Sequence, residues 1–345
     1  MPPEPIIGWD VGGAHLKAAR LGASGAVEAV VQVPCPLWQG LEHLHRAIAA
    51  AGEQVGEAAR HAVTMTGEMV DLFASRAEGV ARLAETMREK LPGTVGFFGA
   101  ENGFVDAFTA AAIPTQIASA NWLASAAVVA ATRGTALFVD VGSTTADLVP
   151  VRDGEVGAHG RDDAERLVTG ELVYTGVVRT PVMALADRVP FAGEWVPLIP
   201  EYFATSADVH RLTGDLPEGA DQHPSADNGP KTVEASARRL ARMLGRDLES
   251  ADLAAWRGLA RWLSDAQLRR LNDAADLLLS SGILPEGTPV VGAGVGRFLA
   301  ARLSALRSQR YVDFATLLGA PAALADAVSN CAPAVAVGWL MGRVG

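Results

Sequence analysis

The 345-residue chain is 49% hydrophobic and carries 29 basic against 39 acidic residues, a formal net charge of −10. That length supports a sizeable core and two domains rather than one. An acidic chain without a basic run is a poor partner for nucleic acid or an anionic membrane. Backbone N–H groups and a few local cations still suffice to hold a phosphate.

Two cysteines, Cys35 and Cys331, lie far apart with no partner motif. That argues against a disulfide framework or a cysteine zinc site and fits a reducing compartment. Met1-Pro2-Pro3-Glu4-Pro5 lacks the basic and apolar regions of a signal peptide, and Arg133 and Asp140 interrupt the apolar run 124–141. The expectation is a soluble, cytoplasmic protein with no nucleic-acid or membrane partner. Its oligomeric state is left open, a homo-oligomer included.

In chain order, Ile6-Ile7-Gly8-Trp9-Asp10-Val11 reads as a short apolar strand that breaks at Gly12-Gly13 and resumes from Leu16 to Leu21. A turn over 22–25 leads into the alternating run 26–33, giving a three-strand meander. Leu41, Leu44 and Ile48 share one helical face, as do Val80, Leu83, Met87 and Leu91. His61 to Thr66 and Thr94 to Phe98 read as strands, and Asn121 to Thr132 as a buried, alanine-rich helix leading to a second lobe. Asp-Val-Gly then recurs in Ala136 to Asp147, with a hairpin turn at Asp153-Gly154 suited to type I′. Two copies of one supersecondary unit predict duplicated lobes, spanning 1–134 and 135–345. Strands alternating with helices give an α/β class.

The stretch 157–235 is expected to be an insertion, Pro- and Gly-rich and loop-like to about 231. Helical patterns return over 235–244 and 251–279. Pro289 to Gly296 reads as a strand ending in a glycine loop, followed by a helix over 297–306, and Pro333 to Met341 as a buried C-terminal helix of the second lobe.

A glycine-rich loop after a strand lets backbone N–H groups approach phosphate oxygens with no Cβ in the way. Gly12 and Gly13 offer this in the first lobe, with Lys17 as a nearby cation. Gly142, Ser143, Thr144 and Thr145 offer it in the second. Each loop follows an aspartate, Asp10 or Asp140, and such carboxylates beside phosphates suit Mg²⁺. Gly292, Gly294 and Gly296 do not form G-x-G-x-x-G; they are a nucleotide-binding loop or a tight strand-to-helix junction. Glu68 is a candidate base or a helix N-terminal carboxylate, and Arg179 a phosphate ligand or a surface arginine. Asn121 binds ligand or caps its helix. His223 with Asp221 and Asp227 matches no standard metal spacing.

The three glycine-bearing segments, in this order, resemble the phosphate-1, phosphate-2 and adenosine motifs of the actin/sugar kinase/Hsp70 superfamily. More narrowly, Asp10 to Lys17, Met65 to Glu68, Ser119 to Leu123, Gly170 to Gly176, Arg179 to Pro181 and Phe203 to Val209 carry a second resemblance. They are similar to short hydantoinase A/oxoprolinase relatives of the tetrahydromethanopterin-linked one-carbon transfer pathway. That group includes an archaeal enzyme joining furan and tyramine units in methanofuran synthesis. His15 stands where many relatives carry asparagine.

The resemblance implies an actin-like ATPase fold with two RNase H-like lobes, each on a five-stranded sheet, around a central cleft. It also implies a transferase coupling the phenol of tyramine or glutamyl-tyramine to an aminomethyl-furanmethyl diphosphate, releasing diphosphate. The two loops would hold the leaving group, with Mg²⁺ on Asp10 or Asp140 and Glu68 near the phenol. The alternatives are an ATP-dependent small-molecule kinase or hydantoinase-type ATPase, and a non-catalytic nucleotide-binding regulator.

Overall fold

A computed structural model describes residues 4–100 and 102–344; Met1–Pro3, within the N-terminal stretch read above, lie outside them. The chain forms two compact units, Met1–Ala136 with Val149–Glu165 and Val312–Gly345, and Leu137–Leu148 with Arg166–Tyr311.

In the first unit, β1 (Ile6–Val11) is buried along its whole length, Asp10 included, as a central strand with a neighbour on each side is. β2 (His15–Leu21) runs antiparallel to it, and β3 (Val27–Pro34) antiparallel to β2. Helix α1 (Leu41–Val55) buries Leu44, Ala47, Ile48, Ala51 and Val55 and leads to β4 (Arg60–Met65), parallel to β1. Helix α2 (Arg76–Lys90) follows Ser75, whose hydroxyl accepts from the Glu78 N–H as an N-cap. It buries Val80, Leu83 and Met87 before β5 (Thr94–Gly99), parallel to β4. β6 (Gly103–Val105) pairs antiparallel with β5, completing the order β3-β2-β1-β4-β5-β6. The sheet thus has six strands rather than five, because this short edge strand carries no periodicity of its own. Helices α3 (Ala107–Ala112), α4 (Pro114–Ile117) and α5 (Asn121–Arg133) follow.

The second sheet repeats the plan. β7 (Ala136–Val141) is fully buried, and β8 (Ala146–Arg152) pairs with the two-residue β9 (Glu155–Val156) through a turn in which Asp153 and Gly154 both have positive φ, 54° and 86°. That is the backbone a type I′ turn needs. The order is β10-β8-β7-β13-β14, with β9 also on β8.

The stretch expected to be loops carries short elements among its turns up to Thr213 and remains without helix or strand over 214–231. Helix α6 (Asp163–Thr169) precedes β10 (Leu172–Val173), which pairs with β8 at Asp147 and Ala146. The β11 (Arg188–Phe191)–β12 (Glu194–Pro197) hairpin, α7 (Ser206–Thr213), α8 (Val233–Met243) and α9 (Leu253–Ser280) enclose their own apolar cluster, with Phe191, Leu240, Trp256 and Leu263 in it. Its polar centre is Asp208, which accepts from Ser236 Oγ (2.7 Å) and the fully buried Arg239 Nε (2.8 Å). Short elements separated by proline and glycine hide their period, so only tertiary packing makes them visible. β13 (Val290–Ala293) then runs parallel to β7, and α10 (Arg297–Leu306) and β14 (Tyr311–Asp313) complete this part.

After α11 (Phe314–Leu317) and α12 (Ala325–Asn330), the buried α13 (Ala332–Met341) packs on β1 in the first unit, not in the second as chain order predicts. Gly8 permits this: a Cβ there would lie 1.9 Å from the Ala334 carbonyl oxygen, so strand and helix touch through backbone. The boundary at 134/135 is corrected in the same way for 149–165, which returns to the first unit. Among the described residues, no single helix is long and apolar enough to cross a membrane.

Candidate functional site

Two corners, one in each unit, are built alike. At the end of β1 the Gly12 N–H donates to the His15 carbonyl (3.0 Å); at the end of β7 the Gly142 N–H donates to the Thr145 carbonyl (2.8 Å). In each case the parallel neighbour closes the corner from below. Thr66 N–H donates to Val11 O (2.9 Å) after β4, and Gly296 N–H to Val141 O (2.8 Å) after β13. The repeated Asp-Val-Gly is therefore one tertiary motif used twice.

In the first corner Asp10 is 3% exposed, and its Oδ2 accepts from Lys17 Nζ at 3.2 Å. Asp10 and Lys17 face each other in the β1–β2 register, so the cation is tied to the strand-end carboxylate. Asp10 Oδ1 is buried without a hydrogen-bond partner among the described residues. His15 is buried at the start of β2. A Cβ on Gly12 would lie 2.9 Å from His15 O, and one on Gly13 2.8 Å from a Val70 methyl.

Glu68 belongs to the same corner. It lies in a single 3-10 turn (Gly67–Met69), too short for the helix N-terminal role, and is 1% exposed. A Cβ on Gly67 would sit 3.1 Å from Val11 O and 3.3 Å from Gly12 C, so the turn rests directly on the glycine loop. On the other side, a Cβ on Gly79 would meet Glu68 Cα at 2.7 Å, which presses the first turn of α2 against it. Glu68 Oε1 accepts from Ser119 Oγ at 2.9 Å, while Oε2 has no partner among the described residues. Burial raises its carboxyl from the ordinary 4.5 to about 7. The Ser119 hydrogen bond and Arg76 pull down, and Asp163 pushes up. Asp163 Oδ2 accepts from Arg76 (2.7 Å) and lies 3.3 Å from the Ser119 hydroxyl. Asn121, two residues on, accepts from the Trp122 N–H with its Oδ1 (2.8 Å) at the start of α5, a helix-end bond.

In the second corner, Asp140 is 9% exposed beside Ala293. Gly294 has φ +82°, and a Cβ there would lie 2.3 Å from Asp140 Oδ1 and 2.2 Å from Val141 O. Gly296 is equally confined, with a Cβ 2.6 Å from Val177, and Gly292 packs on Tyr311. These glycines form a tight strand-to-helix junction beside the aspartate. The segment 175–180 covers Gly142–Thr145: Val177 N–H donates to Gly142 O (3.1 Å), and the N–H groups of Val178 and Arg179 donate to Ser143 O (3.1 and 2.9 Å). Ser143 Oγ and Thr144 Oγ1 are 3.5 Å apart. A Cβ on Gly176 would meet Ser143 C and Thr144 N at 2.3 Å. Arg179 itself is exposed on this cover.

Behind it, Gln267 donates to Thr175 Oγ1 and Gly176 O, both at 2.9 Å, and pairs with buried His210 at 2.8 Å. Burial lowers His210 to about 4, so it is neutral at pH 7. Asp221 binds Arg211 (2.6 Å) and Asp227 binds Arg239 (3.0 Å), and no group of three potential metal ligands occurs among the described residues.

Asp163, Arg76, Gln267 and His210 escape sequence reasoning because they come from distant elements. Only Ser119 carried a signal, inside the stretch Ser119 to Leu123.

The sheet orders and paired corners define the class as the actin-like ATPase fold, α/β with two related units. A solved structure titled as a nucleotide-free acetone carboxylase, 10% identical, shares the fold with a TM-score of 0.55, covering 97% of this chain and 70% of that one. The chain belongs to the Hydantoinase/oxoprolinase family, whose profile matches residues 60–330. It is 30% identical over 245 residues to the (4-{4-[2-(gamma-L-glutamylamino)ethyl]phenoxymethyl}furan-2-yl)methanamine synthase of Methanocaldococcus jannaschii, covering 71% of this chain and 72% of that protein. It is 34% identical over 118 residues to the synthase of the same name from Methanococcus vannielii, covering 34% of this chain and 53% of that protein.

Proposed function

We propose that this protein makes the aryl ether of a methanofuran-type cofactor, joining a furylmethyl diphosphate to the phenol of tyramine or glutamyl-tyramine. The names of its relatives describe a phenoxymethyl-furan product, the bond such a reaction forms. The observation that carries the reading is Glu68, a buried carboxyl near neutrality, set on the glycine loop with Oε2 unpartnered. A base of that strength takes a phenol proton as the oxygen attacks the furylmethyl carbon, and the C–O bond electrons leave with diphosphate. Exposed Trp38, Met69 and Leu72 on the neighbouring turns offer apolar surface for an aromatic acceptor.

The Gly12–Gly13 and Gly142–Thr145 loops, with Arg179, supply donors to phosphate oxygens in their own units. The buried Oδ1 of Asp10 fits a divalent cation, and Asp140 at the equivalent strand end would be the corresponding ligand. Mg²⁺ bound there would neutralise the leaving diphosphate. Asn121, with its oxygen in a helix-end bond, is left with its amide for a ligand.

The test is incubation with a furanmethanol diphosphate and tyramine, without ATP, following ether product and diphosphate by mass spectrometry. Product forms on this reading. No product, together with ATP hydrolysis dependent on a small acceptor, hands the protein to the kinase or ATPase alternative, for which Gly292, Gly294 and Gly296 would seat the nucleotide.

A further inference from the structure

Among the described residues, Ser119 is the one polar residue that touches both Glu68 and the Asp163–Arg76 ion pair. Its backbone is unusual: φ is +52°, a left-handed conformation that costs a non-glycine residue about 1 kcal/mol. The conformation is held because Ala118 forms a parallel bridge to Met65 at the end of β4, while Asn121 opens α5. Chain direction must change within two residues, and the change aims the Ser119 side chain at the turn carrying Glu68.

A serine hydroxyl has one hydrogen. It lies 2.9 Å from Glu68 Oε1 and 3.3 Å from Asp163 Oδ2, so it donates to one carboxylate at a time. Asp163 is already compensated by Arg76 at 2.7 Å, whereas Glu68 is buried and has no cation in contact among the described residues. The charged groups acting on Glu68 are Arg76 from α2 and Asp163 at the start of α6. Glu78 is turned away, accepting from the Ala74 N–H at 2.9 Å.

Building on the proposed role of Glu68, we propose that Ser119 is a positioning residue whose single hydrogen switches between Glu68 and Asp163, coupling Glu68 protonation to the Asp163–Arg76 pair. When Glu68 is ionised, the Ser119 O–H donates to Oε1 and fixes the carboxylate with Oε2 open. When Glu68 holds a proton, the hydroxyl turns to Asp163 Oδ2 and the neutral acid is released from that bond. No atom leaves the cluster: one proton is gained by Glu68, and one hydrogen bond changes acceptor.

The two neighbours then act on Glu68 with opposite signs. Removing the hydroxyl removes a donor to the charged form, so Glu68 holds its proton to higher pH. Replacing Asp163 by asparagine removes a negative neighbour and frees Arg76, so Glu68 ionises at lower pH.

The experiment is a ¹³C-carboxyl NMR titration of glutamate-labelled protein, with the Glu68 signal identified by its loss in Glu68→Gln. Ser119→Gly removes the hydroxyl and also relieves the positive φ, so folding is kept; Asp163→Asn is nearly isosteric. The Glu68 midpoint should rise in the first and fall in the second. Each unit of displacement appears as about a tenfold change in kcat/KM on the acid side of the pH profile. Unchanged midpoints, or shifts in the same direction, overturn the coupling. The titration needs no substrate, so opposite shifts without ether formation would uphold the coupling while refuting the reaction.

Discussion

Glu68 holds its proton to about pH 7 because burial strips the water that would stabilise its charge, and neither Ser119 nor Arg76 makes up the difference. The consequence reaches stability. Between the ordinary value of 4.5 and about 7, the folded state binds a proton that the unfolded chain has released. Stability from this group is full below 4.5 and is lost as pH rises through 7, on the order of 3 kcal/mol in all. Glu68→Gln should flatten that part of the curve, read from denaturant midpoints at pH 5 and pH 8. It should also cut ether formation by about 10²–10⁴-fold while diphosphate binding stays near wild type. His210 slopes the other way. Its value is lowered to about 4, so stability falls as pH drops below the ordinary 6.5.

At the level of elements, the cover over the second loop is the sharpest dependency. Residues 175–180 hold Gly142 and Ser143 by backbone bonds, and Gln267 holds the cover from behind. Gly176→Ala puts a methyl 2.3 Å from the backbone of Ser143 and Thr144, so the loop or the cover must move. We expect a loss of about 1–3 kcal/mol, typical of overpacking, together with weaker diphosphate binding by calorimetry. A lowered midpoint with unchanged diphosphate affinity would show that the second loop does not bind phosphate.

For the whole molecule, α13 ties the end of the chain to β1 through the Gly8–Ala334 approach. Deleting 325–345 removes an almost entirely buried helix from the first unit. Hydrogen exchange should then show β1 and β2 unprotected, with β7 and β13 retaining protection. Equal loss in both sheets would mean the units do not open separately.

The sequence by itself determined the repeated strand–glycine-loop–strand corner, because Asp-Val-Gly and the alternating runs are local signals that both sheets obey. It also made Glu68 and the two glycine loops candidates, since a carboxylate or a glycine loop just after a strand is a short-range pattern. Tertiary structure decided the rest. It seated the C-terminal helix on the first unit, because a helix apolar on every face carries no record of its partner. It folded 157–231 around Asp208 and Arg239, whose pairing spans distant helices. It buried Glu68 beneath α2 and brought Ser119, Asp163 and Arg76 to it from three separate segments. The ionisation of that carboxyl is a property of their packing, which no spacing along the chain records.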